Sequence, residues 1–129
     1  MPIQPDSIRI AVVDDEPIIL NVFEALLKSA HFHADCFQDG DVLVETVRQH
    51  PNRYDLLVCD IRLAKSDGIA YAEKLRAVRS DLPVLFMTGN ASDDVRSRAM
   101  ALGRVEFLEK PFPLVDKLKE LILKFLDTR

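Results

Sequence analysis

The chain has 129 residues, 48% of them hydrophobic and 29% charged, with a net charge of −4 at pH 7; that is enough for one domain with its own core, and too apolar for a disordered segment. The acidic balance, the lack of Trp and the presence of only two Tyr exclude a nucleic-acid surface made by this chain, because neutralising phosphates takes clustered Lys and Arg. No apolar stretch reaches membrane-spanning length, and the start Met1-Pro2-Ile3-Gln4-Pro5-Asp6 has no secretory pattern, so a cytoplasmic protein with no membrane partner is expected.

Residues 8–13 read as a strand that ends on Asp14-Asp15-Glu16-Pro17. Pro17 suits the first turn of a helix, where its missing N–H costs nothing, and the acids before it suit the positive end of the helix dipole. Ile18, Ile19, Val22, Phe23, Leu26 and Leu27 follow at helical spacing and predict one broad core-facing stripe. Residues 31–37 form a short extended segment on which His31, His33 and Asp35 alternate; two histidines near a loop read as solvated rather than as a metal site. Asp39-Gly40-Asp41 breaks that segment before a second helix with Val42, Leu43 and Val47, which Pro51-Asn52 closes.

Tyr54-Asp55-Leu56-Leu57-Val58-Cys59-Asp60 is a short apolar run that stops on a carboxylate. A run of this kind predicts a central strand of a parallel sheet, buried on both faces and so without alternation. A loop over residues 61–68 leads to a third helix ending at about Arg79, and residues 83–87 repeat the buried-strand pattern before Thr88-Gly89-Asn90. Ser92-Asp93-Asp94 opens a fourth helix with Val95, Ala99 and Leu102 on one face and Gly103 as its stop. Residues 105–108 read as a fifth strand, ended by Lys110-Pro111. The last helix, from about Phe112 to Leu126, carries Leu114, Val115, Leu118, Leu121, Ile122 and Phe125 on one face and leaves Leu123 among polar residues. Cys36 and Cys59 read as small core hydrophobes rather than as a disulfide. Five strands alternating with five helices predict βαβ units, right-handed crossovers and a parallel sheet in a single domain over 1–129, with its core at about 8–126.

Four of these strands end on Asp14-Asp15, Asp60, Thr88 and Lys110. In an open α/β sheet the carboxyl ends of the strands face the crevice where ligands bind. Asp14, Asp15 and Asp60 at one such edge repel one another, and a hard divalent cation such as Mg²⁺ relieves this, since Mg²⁺ takes one or two carboxylates and keeps other oxygens as its remaining ligands. Thr88 and Lys110 then offer a hydroxyl and a cation to a phosphoryl group, with the Asp60 carboxylate as the nucleophile. Taken singly, each has an ordinary reading: a helix cap, two turns and a solvated lysine. Their order on successive strands is what points to a site.

These residues, over about Ile8 to Leu126, resemble the receiver domain of bacterial two-component response regulators. The resemblance implies a doubly wound, flavodoxin-like α/β fold with strand order 2-1-3-4-5, the order of the chemotaxis member of that family. It implies that Asp60 accepts a phosphoryl group from a sensor histidine kinase or a phosphotransfer protein. It further implies that Asp14, Asp15, Asp60 and the backbone carbonyl of Arg62 hold Mg²⁺, and that Thr88 and Lys110 bind phosphoryl oxygens. Thr88 and Phe107 become the switch residues, the bond before Pro111 is cis, and the domain takes part in its own phosphorylation and dephosphorylation without being a turnover enzyme. The partners implied are a downstream protein target or a fused output domain, with a homodimer through the last two helices, to which Leu123 is a candidate contact. Ala64, Phe107 and Arg104 depart from the commoner pattern, and Phe107 brings no hydroxyl to the switch. Arg62 and Asn90, two residues after Asp60 and Thr88, are expected to tune the lifetime of the phosphoryl state. Two rival readings remain: a Mg²⁺-dependent aspartyl phosphatase or phosphotransferase, against which Arg62 stands where such enzymes of the haloacid dehalogenase type carry a second Asp, and a receiver-like interaction module that never needs phosphate.

Overall fold

Among the residues described by the structure, a computed structural model covering 5–63, 67–89, 91–109 and 115–127, five strands alternate with five α-helices. In chain order these are β1 (Arg9–Val13), α1 (Pro17–Ser29), β2 (His33–Phe37), α2 (Gly40–Gln49), β3 (Leu56–Asp60), α3 (Gly68–Val78), β4 (Val84–Thr88), α4 (Asp93–Met100), β5 (Val105–Glu109) and α5 (Val115–Asp127). The strands form one sheet in the order β2-β1-β3-β4-β5, and every pairing is parallel. The expected α/β fold and strand order are both present.

Every residue of β3 and β4 is buried, which is why their sequences run apolar without a break. Successive side chains still point to opposite faces. Leu57, Cys59, Val84 and Phe86 enter the core beneath α2, α3 and α4, whereas Leu56, Val58, Leu85 and Met87 enter the core beneath α1 and α5. Full burial of one such Leu or Phe stabilises the fold by about 1.5–3 kcal/mol. The free edges β2 and β5 are half-solvated, with His33, Asp35, Glu106 and Glu109 exposed.

Three helices start on side-chain caps, in which Asp39 accepts from the Asp41 N–H, Asp67 from the Ala70 N–H at 2.7 Å and Ser92 from the Val95 N–H at 3.3 Å. Such a cap is worth about 1 kcal/mol over alanine. Gly103 and Arg104 then turn the chain out of α4 with φ of 71° and 48°. Glycine adopts this left-handed region freely, but arginine does not.

The α1 stripe is narrower than the spacing predicts. Phe23 and Leu27 are buried and Ile19 and Leu26 half-buried, but Leu20 takes an inward place while Ile18 is 75% and Val22 40% exposed. Six apolar positions span a wider arc than one sheet face covers. Leu123 is a second correction. It is half-buried and packs on the core shared by α1 and α5, because a helix tucked against both a sheet and a neighbouring helix buries more than one side. His31 stands in a left-handed turn before β2, with φ of 70°, so the expected alternation with His33 and Asp35 does not form. No helix among the described residues is long and apolar enough to cross a membrane.

Candidate functional site

Parallel pairing brings the strand ends together. Val13 pairs with Cys59 and Asp60 with Met87, so the chain leaves the sheet side by side at Asp14, Asp60 and Thr88. All three are buried, with exposures of 0%, 6% and 5%, and they are the only buried polar or charged residues among those described. An ionised carboxylate is costly to bury unless it is paired or hydrogen-bonded. Asp14 Oδ1 accepts the Glu16 N–H at 2.8 Å, and Asp60 Oδ1 accepts the Arg62 N–H at 3.1 Å.

The acids before α1 are not its cap. Glu16 occupies the cap position without a side-chain bond and Pro17 follows, in contrast to the three capped helices. Their placement therefore has no explanation in helix capping, which favours the reading as a site. Asp15 is half-buried, and its backbone carbonyl accepts the Gln38 side-chain amide at 3.3 Å.

Beside Asp60 lies a cavity of about 660 Å³ whose walls include Glu16, Arg62, Asp67, Thr88 and Arg98. Burial pushes the Cys59 thiol behind it well up, and the nearby Asp60, Asp14 and Asp67 carboxylates push it further. Protonated, the thiol donates to the backbone carbonyl of Asp60 at 3.3 Å. Among the described residues no group of three or more His, Cys, Asp or Glu is placed as a metal site. The donor set still fits a hard cation. Two buried carboxylates on adjacent strand ends, Asp60 of them on the cavity wall, match the one or two carboxylates plus waters that Mg²⁺ takes.

A family model, the response regulator receiver domain, matches residues 10–123. The chain belongs to the response regulator receiver domain family. One relative, the transcriptional regulatory protein ZraR of Escherichia coli (strain K12), is 33% identical over 121 residues, covering 94% of this chain and 27% of its own length. The chain thus spans about a quarter of that relative. Among solved structures, a response regulator receiver protein from Sinorhizobium medicae WSM419 superposes with a TM-score of 0.81 at 27% identity, covering 94% of this chain and 95% of the other. The beryllofluoride-activated NtrC4 receiver domain dimer gives 0.78 at 27% identity, covering 92% and 94%.

In this receiver domain Thr88 and Phe107 sit on neighbouring strands. Phe107 pairs with Phe86 in the sheet register, and their rings lie 6.1 Å apart at a 30° tilt. Arg62 is exposed and lines the cavity. Lys110, Pro111 and the cis bond expected before it lie outside the described residues, as do Ala64 and Asn90.

Two features of the receiver escape the sequence. Gly68 reads as ordinary helix-start chemistry after Asp67, yet a Cβ built on it would lie 2.0 Å from the Asp60 backbone oxygen. The α3 start is thus pressed directly onto the peptide of Asp60. The second is Arg96, whose guanidinium carbon stands 5.0 Å from the centre of the Phe107 ring. Nothing in the local sequence pattern signals either contact.

Proposed function

We propose that this receiver is a phosphorylation switch in which Asp60 accepts a phosphoryl group from a phosphohistidine of a sensor kinase or phosphotransfer protein in the cytoplasm. The observation that carries it is the burial of Asp60 beside Asp14 at adjacent strand ends, with Asp60 and Thr88 on the wall of one cavity. An Asp60 carboxylate oxygen bonds to phosphorus as the donor's P–N bond breaks, and the leaving imidazole takes up a proton. Bound to Asp14, Asp15, Asp60 and the Arg62 carbonyl, Mg²⁺ would offset the charge gathered on the phosphoryl oxygens. The Thr88 hydroxyl donates to one of those oxygens and Lys110 supplies a cation to another.

The acyl phosphate adds negative charge where three carboxylates already stand, and the domain answers by population shift. Thr88 draws toward the new oxygens, Phe107 repacks against Phe86 by ring burial alone, and the surface of α4, β5 and α5 changes its affinity for a downstream protein, a fused output domain or a second copy. The solved NtrC4 receiver is described as a dimer, which supports the last of these. The single domain spanning 1–129 is the unit that switches.

Intact-mass measurement after incubation with acetyl phosphate, with and without Mg²⁺, tests this on the parent and on Asp60→Asn. A phosphoryl adduct is expected only on the parent and only with Mg²⁺. No adduct on the parent, or an equal adduct on the variant, overturns the assignment. Sustained turnover of a phosphate ester would return the phosphatase reading.

A further inference from the structure

Helix α4 is weakly held by its core. It has eight residues, of which Ala99 is buried, with Val95 and Ala91 beside it half-buried in the same cluster. Its flanks are held by charge instead. Arg96 donates to Glu109 of β5 at 2.7 Å and stacks on Phe107. Two residues on, and therefore about 200° around the helix, Arg98 meets Asp67 at 3.2 Å and Glu73 at 3.7 Å on the α3 side. The exit from α4 is pinned differently. Arg76 of α3 donates to the backbone carbonyls of Leu102 at 2.8 Å, Gly103 at 2.6 Å and Arg104 at 3.2 Å, and also to Leu82.

We propose that Arg96 and Arg98 are opposed straps that set the resting bias of the switch, holding α4 against β5 and α3 while Arg76 fixes the pivot at its C-terminal end. This rests on the phosphorylation reading above and deepens it. Phe107 has no hydroxyl with which to report the state of Thr88, so the arginine over its ring is the group that its movement displaces. Release of Arg96 frees Glu109 at the same time. Arg98 shares the cavity wall with Asp60, so opening its strap widens the approach to the nucleophile. Exposed ion pairs are individually weak and are screened by salt, which suits a latch that must open: both straps together bias α4 by about five- to tenfold.

The test compares the parent with Arg96→Gln/Arg98→Gln. Asp67 is left alone because its carboxylate also caps α3. In the unphosphorylated proteins, amide hydrogen exchange of α4 is expected to be about five- to tenfold faster in the variant, with α1 and α2 unchanged. Raising salt to about 0.5 M should bring the parent toward the variant. Mg²⁺-dependent adduct formation from acetyl phosphate should accelerate by a similar factor. Unchanged α4 exchange, equal acceleration in every helix, indifference to salt, or an adduct rate in the variant equal to that of a parent that does form adduct would each overturn the proposal. A parent that forms no adduct sinks the phosphoacceptor reading instead, and the exchange measurements still decide whether the straps exist.

Discussion

Gly68→Ala is the most exacting test of the geometry around Asp60. The added Cβ meets the Asp60 backbone oxygen at 2.0 Å, Cys59 Sγ at 2.8 Å and the Asp60 carbonyl carbon at 2.9 Å. Two of these three atoms belong to backbone paired inside the sheet, so no flexible side chain end can give way. Alanine at the first residue of α3 gains up to about 1 kcal/mol of helix propensity over glycine. Against this, overpacking costs about 1–3 kcal/mol, with the upper end expected where backbone must move. The retreat also stretches the 2.6 Å bond from the Gly68 N–H to the Ile61 carbonyl, a further loss of about 1 kcal/mol. The clash wins, with a net destabilisation of about 2–3 kcal/mol, or roughly 10 °C in Tm for a domain of this size. Urea and thermal unfolding measure this directly. Gly89→Ala is the control: nothing lies within 4 Å of its added Cβ, and a change within about 0.5 kcal/mol is expected. Because the clash displaces the Asp60 peptide, the proposed Asp60 adduct should also form more slowly at temperatures where the variant is fully folded. A Gly68→Ala protein as stable as the parent, or a Gly89→Ala protein equally damaged, refutes the reasoning.

Exchanging Arg62, which lines the cavity, together with Asn90 should change the rate of acyl phosphate loss; unaltered decay of the mass adduct sinks that role. Ile18→Lys places a charge on the exposed apolar patch that Ile18 and Val22 make on α1 just past the acidic turn. It should slow transfer from a phosphohistidine protein while leaving acetyl phosphate labelling and stability within about 0.5 kcal/mol unchanged, and equal slowing with both donors speaks against docking there. The Cys36 thiol is raised to about 11, first by burial and then by Glu24. A folded pKa raised above the ordinary value of 9.0 contributes stability below pH 9 that is lost as pH climbs toward 11, and iodoacetamide alkylation of Cys36 should rise over that window; rapid labelling at pH 8 contradicts it.

The sheet was legible because β3 and β4 are buried on both faces and so lose the alternation that would mark a half-exposed strand. The strand ends were legible because Asp14, Asp60 and Thr88 interrupt apolar runs where a parallel sheet stops. The width of the α1 stripe was not, since Ile18 and Leu26 are equally apolar and only the sheet's edge decides which is covered. Leu123 was misjudged for the same reason, as α1 covers a flank of α5 that no periodicity reveals. Arg96 with Glu109 and Arg98 with Asp67 lie 13 and 31 residues apart, and Gly68 touches a peptide eight positions earlier across a loop. Such contacts exist only after the fold has brought the segments together.

The two free edges of the sheet bear on colloidal behaviour. A parallel sheet with open edge strands is a template for a second chain, and an added strand there would strip water from whatever side chains line the rim. On β5 those are Glu106 and Glu109, and on β2 they are His33 and Asp35. Desolvating these polar and charged side chains opposes edge-to-edge growth, and the net negative charge of the chain adds repulsion between copies. Extension of the sheet into fibres through either edge is opposed by both effects.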